Sequence, residues 1–279
     1  MKVAFWSNVR QKGGVSTNMV CMAAVTAIAG MGRSILLENH YNVNNLGGML
    51  MAPEQTALLR ESGQYFNKYG MEYMLKRLYT GEPGEALLRK AVVPLLYSGI
   101  YYLPQSYIVN KEVFNYEFEL VHQELFRSLE AFCDVVFIDT QSHGNASTIQ
   151  ILQTADLIVV NLDQDPKTWE EYFDNYESLL DRSVFLVGRY QKDYHWNIAK
   201  LRRKFHISRG QTGVIPYNME LQMAMQEGRI LQFINRNYMR NVCAENAYLM
   251  REMKRAAVML RDNMLKTGKV TIMRHKEET

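Results

Sequence analysis

The sequence predicts an α/β domain with a mostly parallel sheet and helices on both faces. Three observations carry this. Short, continuous apolar runs recur along the chain, and stretches with helical spacing lie between most of them. No internal repeat, low-complexity tract or Pro/Gly/Ser linker divides the 279 residues, so a single domain is expected.

Seven runs read as strands: Val3 to Trp6, Ser34 to Leu37, Gly99 to Leu103, Val135 to Ile138, Leu157 to Val160, Val184 to Val187 and Gly213 to Ile215. Their neighbouring positions are apolar rather than alternating, as in strands buried on both faces. Helical spacing marks Met19 to Ala29, Val113 to Phe132, Trp169 to Leu180, Ile198 to Phe205 and Leu221 to Phe233. Residues 51–98 are the least regular, with a helix around Tyr65 to Tyr79 and the turn signal Gly81-Glu82-Pro83-Gly84. Tyr65, Tyr69, Tyr73 and Met74 form a stripe there that suits core or interface.

The domain is expected to span residues 1–265, followed by a polar, basic tail over 266–279. Its last helix, Ala244 to Leu265, aligns Leu249, Met253, Ala256 or Ala257 and Leu260 on one face. That face packs on the sheet or, with Arg251, Lys254, Arg255 and Arg261 nearby, meets a partner or a membrane surface.

Composition sets bounds on function. With 47% hydrophobic residues the chain can bury a large core, and a net charge of only +3 gives no general affinity for nucleic acid. Cys21, Cys133 and Cys243 are far apart and odd in number, which suits reduced thiols and not a zinc or disulfide framework. A strand begins within three residues of the start, and no apolar stretch approaches the ~18 residues of a membrane span. A soluble, cytoplasmic protein is the expectation. Neither H-E-x-x-H nor C-x-x-C occurs, and Ser, His and Asp show no nucleophile-elbow spacing.

The chemistry concentrates behind the first strand. A strand (Val3 to Trp6), a turn (Gly13-Gly14) and a helix (Asn18 to Ala29) place backbone N–H groups and the positive end of a helix dipole together, which makes an anion site. The general phosphate-loop pattern G-x-x-x-x-G-K-[ST] is not met. Gln11-Lys12-Gly13-Gly14-Val15 nevertheless matches the start of the deviant loop Q-K-G-G-V-G-K-T of the ParA/MinD superfamily of P-loop ATPases, with Ser16, Thr17 and Asn18 where Gly, Lys and Thr are expected.

Further signposts follow in the family's order. Gly32-Arg33-Ser34-Ile35-Leu36-Leu37 resembles its second strand, but Glu38-Asn39-His40 replaces the aspartates that should follow. Gly99 to Pro104 stands where the family has an L-P strand end, and Asp134 to Thr140 resembles the Walker B strand D-x-x-x-x-D-T. Ala155 to Val160 is similar to A-D-x-V-I-V, Phe185 to Tyr190 to the base-side strand ending N-R-Y, and Gly213 to Tyr217 to the I-P-Y/F segment. The resemblance covers about residues 1–235.

It implies ATP and Mg²⁺ as ligands. Gln11, Lys12, Gly13, Gly14, Val15, Ser16, Thr17 and Asn18 would cradle the phosphates, and Arg189, Pro216 and Tyr217 would lie at the base. The implied catalytic set is Lys12, Glu38, Asn39 and Asp139. Lys12 either reaches a partner's nucleotide across a homodimer or is a solvated loop lysine. Asp139 either engages Mg²⁺ through water or satisfies loop N–H groups. Asn18 is a weak Mg²⁺ ligand or a helix N-cap. Asn39 stands at the water-positioning aspartate by ungapped alignment, and Glu38 substitutes if the strand ends a residue early. His143 falls in a switch-like loop, where it senses phosphate or is solvated.

Losing the loop lysine removes a positive charge but leaves the backbone cradle, so binding with slow or absent hydrolysis is expected. Gly13 to Asn18 is similar to the G-G-V-G-T-S loop of the TadZ/CpaE-like branch, which positions the Tad (Flp) pilus apparatus. That similarity implies a dimerising spatial regulator, bacterial and cytoplasmic, recruited to a pole or inner membrane by protein partners. One alternative is an active partitioning ATPase that binds DNA through Lys200, Arg202, Arg203 and Lys204. A vestigial scaffold that binds no nucleotide is the other.

Overall fold

The apolar runs become strands of one sheet. The computed structural model describes residues 1–10, 13–40, 45–58, 69–95, 99–105, 110–142, 144–239 and 244–269. The strands are β1 (Lys2–Trp6), β2 (Ser34–Asn39), β3 (Val93–Pro94), β4 (Ile100–Leu103), β5 (Val135–Thr140), β6 (Leu157–Leu162), β7 (Ser183–Tyr190) and β8 (Thr212–Pro216). They lie in the order β3-β4-β2-β5-β1-β6-β7-β8, all parallel except β3, which pairs antiparallel with β4. Each residue of β2, β5 and β6 is buried, the burial expected of strands covered on both faces.

The helices are α1 (Val15–Ile28), α2 (Asn45–Leu50), α3 (Gly70–Tyr79), α4 (Gly84–Ala91), α5 (Lys111–Phe132), α6 (Ala146–Thr154), α7 (Pro166–Asn175), α8 (Ile198–Phe205), α9 (Met219–Gln226), α10 (Ile230–Met239) and α11 (Ala244–Lys266). Phe5, Leu36, Phe137, Val159 and Leu186 face one layer with Met19 and Met22 of α1, Ile234 of α10 and Met253 of α11. Trp6, Ile35, Ile138, Val160 and Phe185 face the other, with Phe118 of α5, Ile151 of α6, Trp169 of α7 and Leu201 of α8. The connection leaving β1 thus covers the opposite face from those leaving β5 and β6. Such a reversal opens a crevice at the carboxyl ends of the strands.

Several elements differ from the sequence expectation. The first helix begins at Val15, three residues before Asn18, and its N-cap is Gly14 in a left-handed conformation (φ 65°), so Asn18 is not a cap. The stretch Trp169 to Leu180 divides into α7 and a 3₁₀ turn over Glu177–Arg182. Leu221 to Phe233 is two helices, parted at Gly228 (φ 67°), where a Cβ would stand 1.9 Å from Met51 O. Only glycine admits that approach. Helices α2, α4 and α6 and strand β3 were not expected. Of the aromatic stripe, Tyr65 lies outside the described residues, Tyr69 is exposed and Met74 is buried.

Leu249, Met253, Ala256, Ala257 and Leu260 are buried, while Arg251, Lys254 and Arg255 are exposed, so α11 is a core helix. Burial of each large side chain contributes roughly 1.5–3 kcal/mol. Gly213 of β8 lets α11 close in, since a Cβ there would lie 2.9 Å from Ala256 Cβ. Cys21 and Cys133 are buried free thiols, pushed up to about 12 by burial, and Cys243 lies outside the described residues. Among the described residues no helix is long and apolar enough to cross a membrane.

Candidate functional site

The loop after β1 enters α1 through two glycines with different duties. At Gly13 a Cβ would stand 2.4 Å from Asn161 O, so the loop can lie on the end of β6 only without a side chain. Gly14 supplies the left-handed turn and, as the N-cap residue, has no side chain with which to cap the helix that follows. The opening N–H groups of an α-helix have no intrahelical partners, and the macrodipole puts partial positive charge beside them. An uncapped first turn at this crevice suits an anion. Gln11 and Lys12 lie outside the described residues.

A neutral network holds the loop from beneath. Asn18 is 1% exposed, and its Nδ2 donates to Gly13 O at 2.9 Å and to Asn161 Oδ1 at 2.8 Å. Asn161 Nδ2 in turn donates to Val159 O at 2.9 Å and Trp6 O at 3.2 Å, which ties the ends of β1 and β6 together. Gly188 of β7 closes the arrangement: a Cβ there would come 2.6 Å from Gly13 O and 2.7 Å from Asn18 Nδ2. Thr17, at the position of the expected lysine, donates its hydroxyl to Met225 Sδ of α9 at 3.1 Å.

On the other side of β1 the groups are charged. Glu38 of β2 and Asp139 of β5 are neighbours in register, follow Leu36 and Phe137 on the α1 face, and are fully buried. Burial pushes the Glu38 carboxyl up to about 7, and the Asp139 charge adds to the rise. His40 opposes it, as do the hydrogen bonds from Tyr102 Oη (2.9 Å to Oε1) and Leu46 N–H (3.3 Å to Oε2). His40 Nε2 lies 3.1 Å from Asp139 Oδ2. Burial of the ring works to lower its pKa, but Asp139 and Glu38 outweigh this and hold it above the ordinary histidine value. Neither Asp139 oxygen receives a hydrogen bond among the described residues.

Asn39 stands apart from this cluster. It alternates to the opposite face, where its Nδ2 donates to Ser147 Oγ at 3.0 Å and fixes β2 to the first turn of α6. Of the four implied catalytic residues, the structure brings Glu38 and Asp139 together, sends Asn39 to the other layer and leaves Lys12 outside the described residues. His143 is outside them too.

The expected base-side residues border two openings. Arg189 (φ 50°) interrupts the pairing of β7 with β8 and, with Gly14, Thr17, Asn18 and Pro216, lines a crevice of ≈ 10 Å³. Next to it, Pro216 and Tyr217 join Tyr190, Lys192, Tyr194 and Tyr248 around a cavity of ≈ 440 Å³. A volume of this order suits a small planar ligand. The basic residues of α8 belong to the other layer: Lys200, Arg203 and Lys204 are exposed, and Lys204 pairs with Glu170 at 2.6 Å.

Sequence reasoning missed Asn161, Gly188, Tyr102 and His40 as parts of the site. A signal existed for the first two, because Asn161 and Gly188 interrupt otherwise apolar strands. Nothing local marks Tyr102 as the partner of Glu38, 64 residues away.

The Asn18 amide is drawn toward β6 and β7, whereas Asp139 belongs to β5, on the far side of β1. Among the described residues no group of three or more His, Cys, Asp or Glu side chains is arranged to hold a metal ion. The loop fits an anion, and Asp139, whose oxygens lack hydrogen-bond donors among the described residues, would be the carboxylate to face a Mg²⁺.

No protein-family model and no curated protein sequence matches the chain. Solved structures do. The ParA family ATPase from Chlorobium tepidum TLS matches with a TM-score of 0.66 at 13% identity, over 93% of this chain and 98% of that one. The septum site-determining protein MinD from Pyrococcus horikoshii OT3, complexed with Mg-ADP, gives 0.66 at 12% identity over 98% and 100%. The MinC:MinD cell division complex of Aquifex aeolicus gives 0.63 at 14% over 94% and 96%. At these identities the likeness is one of fold: a mostly parallel sheet flanked by helices, of the P-loop ParA/MinD type.

Proposed function

We propose that the chain is a nucleotide-binding ParA/MinD-like protein that works as a dimerising spatial regulator, with slow or no ATP hydrolysis. One observation carries the reading: an uncapped first turn of α1 stands behind a turn whose Gly13 lies too close to β6 for any side chain. The N–H groups of Gly13 to Thr17 would hold phosphate oxygens, and the cavity beside Pro216 and Tyr217 would take the base. The Mg-ADP bound to the MinD of like fold supports a nucleotide as the anion. The MinC:MinD complex supports protein partners.

Slow turnover follows from the residues. Thr17 engages Met225 and offers no positive charge, Asn39 lies in the other layer, and Glu38 is held by Tyr102 and the Leu46 N–H. A protein that binds ATP without consuming it quickly can use occupancy to set a monomer–dimer balance. Lys12 is then the residue to contact the nucleotide of a second copy, and the TadZ/CpaE-like loop suggests the pilus apparatus as the partner.

The ≈ 10 Å³ crevice at Gly14, Thr17 and Arg189 favours a second reading, a scaffold with no ligand. A thermal-shift titration with ATP and ADP, run on the wild type and on Gly14→Arg, separates them. Stabilisation of the wild type alone is expected, and stabilisation of neither protein would establish the scaffold. Sedimentation of the wild type with ATP is expected to show a dimer that Lys12→Ala fails to form.

A further inference from the structure

Two helices, one on each side of the sheet, carry exposed apolar side chains in a line. On α5, Val113, Tyr116 and Leu120 are 50%, 61% and 49% exposed, and their spacing sets them on one face. That face turns away from Phe114, Phe118 and Leu125, which α5 buries in the core. On α11, Val258 and Leu265 are both 42% exposed and turn away from the buried Met253, Ala256 and Leu260. Exposed apolar residues scattered singly are ordinary, whereas a row of them along a helix marks a contact surface.

The two lines match in length and oppose in charge. Leu120 follows Val113 by seven residues and Leu265 follows Val258 by seven, which is two helical turns or about 10.5 Å in each case. Around the first line, residues 111–124 hold four Glu against Lys111, a formal charge of −3 with His122 neutral. Around the second, residues 251–266 hold five Lys and Arg against Glu252 and Asp262, a formal charge of +3. The ion pairs of α11 leave this excess in place: Glu252 holds both Arg251 (3.2 Å) and Arg255 (2.7 Å), and Asp262 holds Arg261 (2.8 Å), so two carboxylates serve three arginines.

Helix α11 shares a layer with α1, and α5 belongs to the other, so the lines point away from the sheet on opposite sides. One molecule cannot bring them together, and a two-fold pair built on either line would set like charge against like. We propose that α5 of one copy docks on α11 of the next, so that the chain associates head to tail. Each such contact leaves one line free at either end, and the association extends as an open row. Three apolar side chains against two make a small contact, which places it among weak associations. It lies apart from the crevice behind β1 and needs no nucleotide.

Sedimentation of the nucleotide-free full chain, from about 10 µM to about 1 mM at low salt, tests this. The average mass of the wild type is expected to rise with concentration past that of a dimer, and to return toward the monomer in about 0.5 M salt. Leu120→Lys sets a cation against the cations of α11, and Val258→Glu sets an acid against the acids of α5. Both positions are exposed, so each variant should keep the wild-type melting curve and stay monomeric alone. Mixed in equal amounts, the two should form a one-to-one pair and nothing larger, because one retains its α11 line and the other its α5 line. Should either variant melt early, Tyr116→Lys or Arg255→Glu replaces it on the same face.

A wild type that stays monomeric throughout overturns the inference, as do variants that remain apart on mixing. Assembly that only one of the two substitutions prevents also overturns it, since that is the mark of a two-fold contact. With ATP left out, failure of the nucleotide reading and failure of this one are read separately.

Discussion

The two sides of the loop after β1 are built on opposite principles. Toward β6 and β7, Asn18, Asn161, Gly13 and Gly188 make a neutral network in which the Nδ2 donors of both asparagines are engaged. Toward β5 and β2, Glu38, His40 and Asp139 crowd buried ionisable groups together, with both oxygens of Asp139 lacking hydrogen-bond donors among the described residues. Satisfied neutral groups specify one backbone position at little cost, whereas buried charge is costly and persists where something uses it. The amide side is therefore the mount of the loop, and the charged side is the part reserved for function.

Changing pH sharpens the comparison most, because it acts on the charged side. Glu38 has its carboxyl raised from 4.5 to about 7, so the fold favours the protonated form. Its contribution is full below pH 4.5 and is lost as pH rises through about 7, a swing of about 3 kcal/mol. His40, also raised, loses its contribution in the same direction at higher pH. Glu38→Gln removes the titrating group but keeps only one of the two acceptor oxygens that Tyr102 and Leu46 use, so denaturant melts from pH 4 to 8 should show a variant of lower stability at acid pH that loses less than the wild type as pH rises. Parallel profiles would contradict the assignment.

Breaking the mount comes next. Gly188→Ala drives a methyl group against Gly13 O and Asn18 and is expected to cost about 2 kcal/mol in urea unfolding, with nucleotide binding lost more than stability. Asn161→Ala leaves the Asn18 amide and Trp6 O short of partners, for about 1.5 kcal/mol, without altering the pH profile. A pH profile that moved with Asn161 would join the two sides into one network. The smallest effect belongs away from both: Glu170→Ala breaks an exposed pair with Lys204 and should change stability by about 0.5 kcal/mol or less.

Much of the frame was legible in the sequence because its causes are local. The buried strands are apolar at consecutive positions, and the observed β1, β2, β5, β6, β7 and β8 extend those runs by a few residues. Gly13 and Gly14 were legible as a turn for the same reason. What stayed hidden depends on distant partners. The break at Gly228 exists because Met51 passes against it, and the role of Asn18 is set by Asn161, 143 residues along the chain. In the first turn of α6, Ser147 and Thr148 are buried against Asn39, whose Nδ2 donates to both hydroxyls, so that turn carries no apolar periodicity to read.

The central claim is that the loop after β1 holds a nucleotide while doing little chemistry on it. Isothermal titration of ATP into the wild-type protein, followed by a turnover assay on the same sample, tests it most directly. Saturable binding of one ATP per chain, abolished in Gly14→Arg and accompanied by negligible phosphate release, is the predicted result. No heat of binding, or release of phosphate as fast as ATP binds, would contradict it.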